Sequence, residues 1–195
     1  MKLVHWALMM LLTQSAQAGP NQEAVIRLQV ASIDASVADT VRQNQSMGVD
    51  ERQWVEQMDK ALVKQMTGNK ALFERLHTQR LRRELLRTIY YEAKRAGLEP
   101  DLVLSVIRGE SNFRKYAISS AGARGYMQVM PFWANIVGER STDLFNVRTN
   151  LRLGCAILRA YLDQEKGDLS RALARYNGSA DDSTYSNYIY ASWVN

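Results

Sequence analysis

Apolar residues in this chain recur three and four positions apart, the spacing of one helix face, and no stretch alternates convincingly as a half-buried strand would. Val25, Leu28, Ile33, Val37 and Val41 outline a first amphipathic helix, interrupted by the turn and cap residues Asn44, Gly48 and Asp50. Trp54, Met58, Ala61, Leu62 and Met66 outline a second, closed by Thr67-Gly68-Asn69. Leu72, Leu76, Leu81, Leu85, Leu86 and Ile89 carry the pattern on to Gly97, as one long helix or two. Pro100 presets a first turn, Asp101 suits its positive end, and Val103, Val106 and Ile107 follow at helical spacing. Pro131 opens a short helix through Phe132, Trp133, Ile136 and Val137, which Gly138 stops. A long helix runs from about Val147 to Glu165, with Gly154 leaving room for a close neighbour. Asp168 caps a further helix, in which Leu169, Ala172, Leu173 and Tyr176 share a face before Asn177 and Gly178 turn the chain. The pattern predicts a mainly α fold, with the loop Ala117–Val129 the best place for a small hairpin.

The N-terminus departs from this pattern. Lys2 precedes a nearly unbroken apolar run, Trp6 to Leu12, and Ala16-Gln17-Ala18 forms a small-x-small site before Gly19. Residues 1–18 read as a cleavable secretory signal peptide, which implies a periplasmic protein. The run falls well short of the ~20 residues that span a bilayer, so no stable membrane anchor is expected. No cysteine near the cut suggests lipid attachment. The lone Cys155 lies on the stripe Leu151, Leu158, Leu162 and reads as a buried small hydrophobe.

The 195 residues, 46% hydrophobic and 23% charged, suit one globular domain with added segments. A net charge of +5 suits an anionic polymer, and no recognition motif points to nucleic acid. No metal-ligand cluster, phosphate loop or nucleotide motif is present, so no cofactor is expected. His77 reads as a surface residue. Arg80, Arg82, Arg83 and Arg87 read as a solvated face or, alternatively, as a contact for anionic glycan or another envelope protein.

Candidate chemistry concentrates between Gly109 and Pro131. Glu110 lies four after Val106 and three after Ile107, on the face those residues turn inward. A carboxyl so placed loses water, which disfavours its charged form and suits it to act as a general acid near neutral pH. Position alone leaves a second reading open, a helix-end Glu at the surface or paired with Arg108 or Arg114.

The segments GESNF, SSAGARGYMQVMP, LFNVRTNLRLGCAILRAYL and ALARYNGS together resemble the transglycosylase SLT domain of bacterial lytic transglycosylases, from roughly Leu85 onward. That resemblance implies a lysozyme-like fold related to goose-type lysozyme. It divides the chain into a signal peptide (1–18), an N-terminal helical extension (19–80) and a catalytic domain (81–195). The extension either packs on the catalytic domain, the favoured reading, or recruits an envelope protein. The implied substrate is the peptidoglycan glycan strand. The implied reaction cleaves it between N-acetylmuramic acid and N-acetylglucosamine without water, Glu110 acting as acid and then base.

Residue by residue, the resemblance assigns Ser119 near the muramyl N-acetyl group, Gln128 and Met130 to the cleft lining, and Tyr176 and Asn177 to the family's YN pair, with the Tyr176 hydroxyl reaching the acid. Asn146 replaces the usual Asp of the family, Tyr126 the Leu of its GLMQ, and Arg175 precedes the YN pair. A lysozyme-type hydrolase on the same fold, and a non-catalytic wall-binding or assembly protein, remain as alternatives. The acids Asp143, Asp181 and Asp182 have no spacing that sets one opposite Glu110.

Overall fold

A computed structural model describes residues 24, 25, 27–29, 48–179 and 182–193. The signal-peptide reading of residues 1–18 and the predicted helix positions Ile33, Val37 and Val41 lie outside the described residues; Val25 and Leu28 are helical and exposed. The described chain runs through α1 (Val49–Met66), α2 (Lys70–Leu76), α3 (Gln79–Arg95), α4 (Pro100–Ser111), α5 (Pro131–Ile136), a 3-10 turn (Ser141–Phe145), α6 (Val147–Gln164), α7 (Leu169–Asn177) and α8 (Thr184–Trp193). The architecture is mainly α. In the loop where a hairpin was expected, only isolated antiparallel bridges form, Ile118 with Arg124 and Arg124 with Val129.

The helix ends follow local chemistry. Asn69, Thr78, Asn146 and Asp168 each accept a hydrogen bond from the backbone N–H three residues on, satisfying a donor the first turn leaves open. Thr78 is why the long apolar pattern after Leu72 is two helices and not one. Pro100 and Pro131 occupy the first turns of α4 and α5.

One apolar cluster runs from Val55, Leu62 and Met66 of α1 through Leu86 and Ile89 of α3 and Val106 and Ile107 of α4 to Leu151, Leu158 and Ile189. Of the N-terminal extension, α1 and α2 therefore pack on the same core, as the favoured reading held. Trp54 of α1 donates from Nε1 to the Asp101 carboxylate at the start of α4, at 3.0 Å. Gly154 of α6 admits Met127, whose Sδ would lie 2.5 Å from an added Cβ. Met127 is accordingly core, and so is Cys155, whose thiol burial pushes well above its ordinary value.

The solvated-face reading of the basic cluster needs correction at Arg82. Its side chain is buried, donates from Nε to Asp59 of α1 at 2.5 Å, and donates from Nη1 to the Leu76 and His77 carbonyls at 2.8 and 3.1 Å. Those carbonyls end α2 and lack an intrahelical partner, so a guanidinium with several donors closes three elements at once. Arg80 and Arg87 are exposed and Arg83 partly so, and His77 is exposed as read.

Candidate active site

Glu110 occupies the last turn of α4, and α8 packs across that helix. The chain leaves α4 through Asn112 and Phe113, both left-handed at φ 47° and 61°. Asn tolerates that conformation; Phe113 holds it with its ring enclosed in the core. The carboxyl of Glu110 is partly buried. Tyr185 of α8 donates its hydroxyl to Oε1 at 2.6 Å. Asn177, at the end of α7, gives a second hydrogen bond; its Oδ1 accepts from Ser179, which leaves the NH2 to face the acid.

Loss of water pushes the Glu110 carboxyl up to about 7, and the bonds from Tyr185 and Asn177 pull less strongly the other way. The Tyr185 and Tyr176 phenols are pushed well above their ordinary range by burial and then by the nearby Glu110. Both stay protonated and so remain donors. Neither arginine weighed as a partner bonds the acid. Arg108 donates to Gln65 Oε1, and Arg114 donates from Nε to the Ser111 carbonyl at 3.0 Å.

The other expected site residues divide. Tyr176 does not reach the acid: its hydroxyl donates to the Met127 carbonyl at 2.8 Å, tying α7 to the loop. The phenol that donates to Glu110 is Tyr185, which the sequence reading missed. Ser119 accepts at Oγ from the Ala123 N–H at 3.0 Å, bracing a turn while its own O–H is left to donate elsewhere. Gln128 holds a left-handed φ of 48°, and its Nε2 donates to the Gly125 and Ala117 carbonyls at 2.9 and 3.4 Å. Met130 precedes α5 and packs, partly buried, on the core.

Asn150 of α6, also unanticipated, fixes this loop from below. Buried to 1% exposure, it accepts from the Met127 N–H at 2.8 Å and donates to the Arg124 and Leu144 carbonyls at 2.8 and 3.0 Å. Gly125 is required above it: its φ is +75°, and a Cβ there would meet the Asn150 amide and the Leu144 carbonyl at 2.5 Å. Two of the other acids considered make local bonds, Asp143 with Arg140 and Asp182 with Thr184, and Asp181 lies outside the described residues. Among the described residues, no group of His, Cys, Asp and Glu is placed to hold a metal ion, and no helix is long and apolar enough to cross a membrane.

A family model, the Transglycosylase SLT domain, matches residues 87–188. The chain is 34% identical over 98 residues to the transglycosylase of Enterobacteria phage PRD1, covering 50% of this chain and 36% of that protein. It is 34% identical over 97 residues to the membrane-bound lytic murein transglycosylase C of Actinobacillus pleuropneumoniae serotype 5b, covering 45% and 27%. It is 41% identical over 120 residues to the Haemophilus influenzae protein of the same name, covering 53% and 34%. The chain thus spans about a third of the length of these curated relatives. A solved structure of an inactive mutant of lytic transglycosylase Slt from Pseudomonas aeruginosa aligns at a TM-score of 0.44 and 27% identity, over 55% of this chain and 20% of that one.

Proposed function

The chain belongs to the transglycosylase SLT domain family, and from that premise we propose that it is a peptidoglycan lytic transglycosylase with residues 81–195 as its catalytic unit. The bond cleaved is the β-1,4 link between N-acetylmuramic acid and N-acetylglucosamine, and the site of action is the cell envelope, as the names of its relatives support. One observation carries the reading. A single partly buried carboxyl, with its pKa raised to about 7, is held by two neutral donors.

Such a group is protonated in a large fraction of molecules at neutral pH and can lose and regain a proton at small cost. Glu110 gives its proton to the glycosidic oxygen as the bond from C1 to that oxygen breaks. The resulting carboxylate takes the proton of the muramyl C6 hydroxyl while the C6 oxygen closes onto C1. The acid is restored, no water is consumed, and the muramyl end becomes a 1,6-anhydro ring. Tyr185 and Asn177 hold the carboxyl in one orientation through both transfers. Their hydrogen bonds stabilise the charged intermediate state of the acid more than the neutral one. An ordinary glycosidase needs a second carboxyl across the bond. The local bonding of Asp143 and Asp182 favours the one-acid scheme. Ser119, Gln128 and Met130 are assigned to the sugar-facing wall.

Digestion of purified sacculi followed by mass measurement of the muropeptides tests this. Anhydro products, each lighter by one water than the reducing form, are expected. Reducing ends alone would mark a hydrolase. Undiminished digestion by Glu110→Gln would overturn both enzyme readings.

A further inference from the structure

Many guanidinium groups among the described residues are matched by a carboxylate: Arg80 by Glu84, Arg82 by Asp59, Arg140 by Asp143, Arg159 by Asp163 and Arg175 by Glu165. Arg75 and Arg114 are held on backbone carbonyls, as Arg124 is on that of Ser141, but these two meet at one turn. Arg75 of α2 donates from Nη1 to the Asn112 carbonyl at 2.7 Å, and Arg114 donates from Nε to the Ser111 carbonyl at 3.0 Å. Both are thus aimed by neutral backbone oxygens of the same turn, the one that follows Glu110. Neither forms an ion pair with a carboxylate among the described residues. A carbonyl orients a guanidinium without cancelling its charge, and each group keeps further N–H donors for another acceptor.

The two charges are close enough to oppose one another. The Arg75 guanidinium is lowered from its ordinary value first by burial and then by the charge of Arg114; the attraction of neighbouring Glu74 is a smaller effect. Glu74 itself faces Lys70, at 3.9 Å. Lys115, next in sequence to Arg114, places its ammonium 5.2 Å from the centre of the Tyr116 ring. Like charges fixed side by side are unfavourable until an anion bridges them, and two guanidiniums suit a carboxylate, which accepts paired N–H bonds.

We propose that Arg75 and Arg114 form a carboxylate-binding subsite on the turn that follows Glu110, and that its ligand is a free carboxylate of the stem peptide borne by a muramyl residue. The assignment rests on the peptidoglycan reading above and sharpens it. Arg75 lies outside the residues 87–188 that carry the family match. The N-terminal helices thereby gain a part in substrate choice: α2 supplies half of the subsite, and Arg82 and Asp59 hold the end of α2 in place.

The full chain carrying Glu110→Gln, which binds without turnover, is titrated with three soluble disaccharide ligands. One bears a stem peptide with free carboxylates, one the same peptide with its carboxylates amidated, and one no peptide, so that only the lactyl carboxylate remains. Adding Arg75→Ala or Arg114→Ala should weaken binding of the first ligand about tenfold, the effect of losing one charge-assisted contact. Binding of the other two should be unchanged. Arg114→Glu, at an exposed position, should weaken the first ligand further, and it carries the test alone if Arg75→Ala fails to fold. Equal losses on the free and amidated peptides, or no loss on either, would overturn the subsite. An arginine-dependent loss on the peptide-free ligand would move the bound carboxylate to the lactyl group and overturn the stem-peptide assignment. Product masses from sacculi digested by the unmodified protein are scored separately, so failure of the enzymatic reading and failure of this subsite are distinct results.

Discussion

Two seams of this molecule each enclose a carboxyl group, and they treat it in opposite ways. Where α3 meets α6, Glu92 is buried to 1% exposure and is met by Arg95 at 3.1 Å and Arg148 at 3.4 Å. Those guanidiniums also lie over the Tyr91 ring, each 5.4 Å from its centre. Where α4 meets α8, Glu110 is met by a phenol and an amide. Burial raises both carboxyls on balance; the opposing pull comes from cations at Glu92 and from neutral donors at Glu110. Cations favour the charged form of a carboxyl and tie it into a structural ion pair. Neutral donors steady the group and leave its proton exchangeable. The second arrangement is the one an acid-base catalyst requires.

The sharpest break of this comparison is Glu110→Gln, which should lower anhydro-product formation by at least about 10²–10⁴-fold, the usual contribution of a general acid-base group, with the fold retained in circular dichroism. Glu92→Leu should do the reverse. Taking the acid from beside Arg95, whose side chain is 8% exposed, should cost roughly 3–5 kcal/mol in denaturant unfolding, with turnover per folded molecule preserved.

Tyr185→Phe should lower kcat about tenfold, since a hydrogen bond to a charged group is lost. That bond holds the Glu110 pKa down, so its loss should move the alkaline limb of the pH–rate profile to higher pH. Tyr176→Phe should leave the limb in place and cost only about 1 kcal/mol of stability, the worth of its bond to the Met127 carbonyl. A shifted limb in Tyr176→Phe and not in Tyr185→Phe would exchange their roles.

The smallest effect is on pH-dependent stability. The folded Glu110 titrates near 7 against an ordinary 4.5, so the folded state holds its proton longer than the unfolded one. The contribution to stability is complete below 4.5 and is lost as pH rises through 7. Glu110→Gln lacks this loss, and its Tm relative to the parent should rise between pH 5 and pH 8. A flat difference would mean the carboxyl is not desolvated.

Much of this was legible in the residues. Helical spacing, the prolines at 100 and 131 and the cap at Asp168 located the elements, and the step from Val106 and Ile107 turned Glu110 toward α8. What escaped depends on pairings across the chain. The helix Thr184–Trp193 is rich in Ser, Tyr and Asn, so its apolar stripe is thin; Tyr185 and Ile189, four apart behind the cap Asp182, were the available signal. Tyr185 meets Glu110 across 75 positions, and a nearer tyrosine in a familiar motif drew the assignment instead. Arg82 looked solvated because its acid lies 23 positions away on another helix. Asn150 reads as one polar residue on a helix face, and only the folded loop reveals the three backbone groups it serves.

Because the group that steadies Glu110 arrives on a later helix, the acid is manufactured by assembly. In any partly folded form with α8 undocked, that side chain is wetted, its affinity for a proton falls toward that of a free glutamate, and at neutral pH it has nothing to donate. The polypeptide is thereby unarmed until its helices have closed.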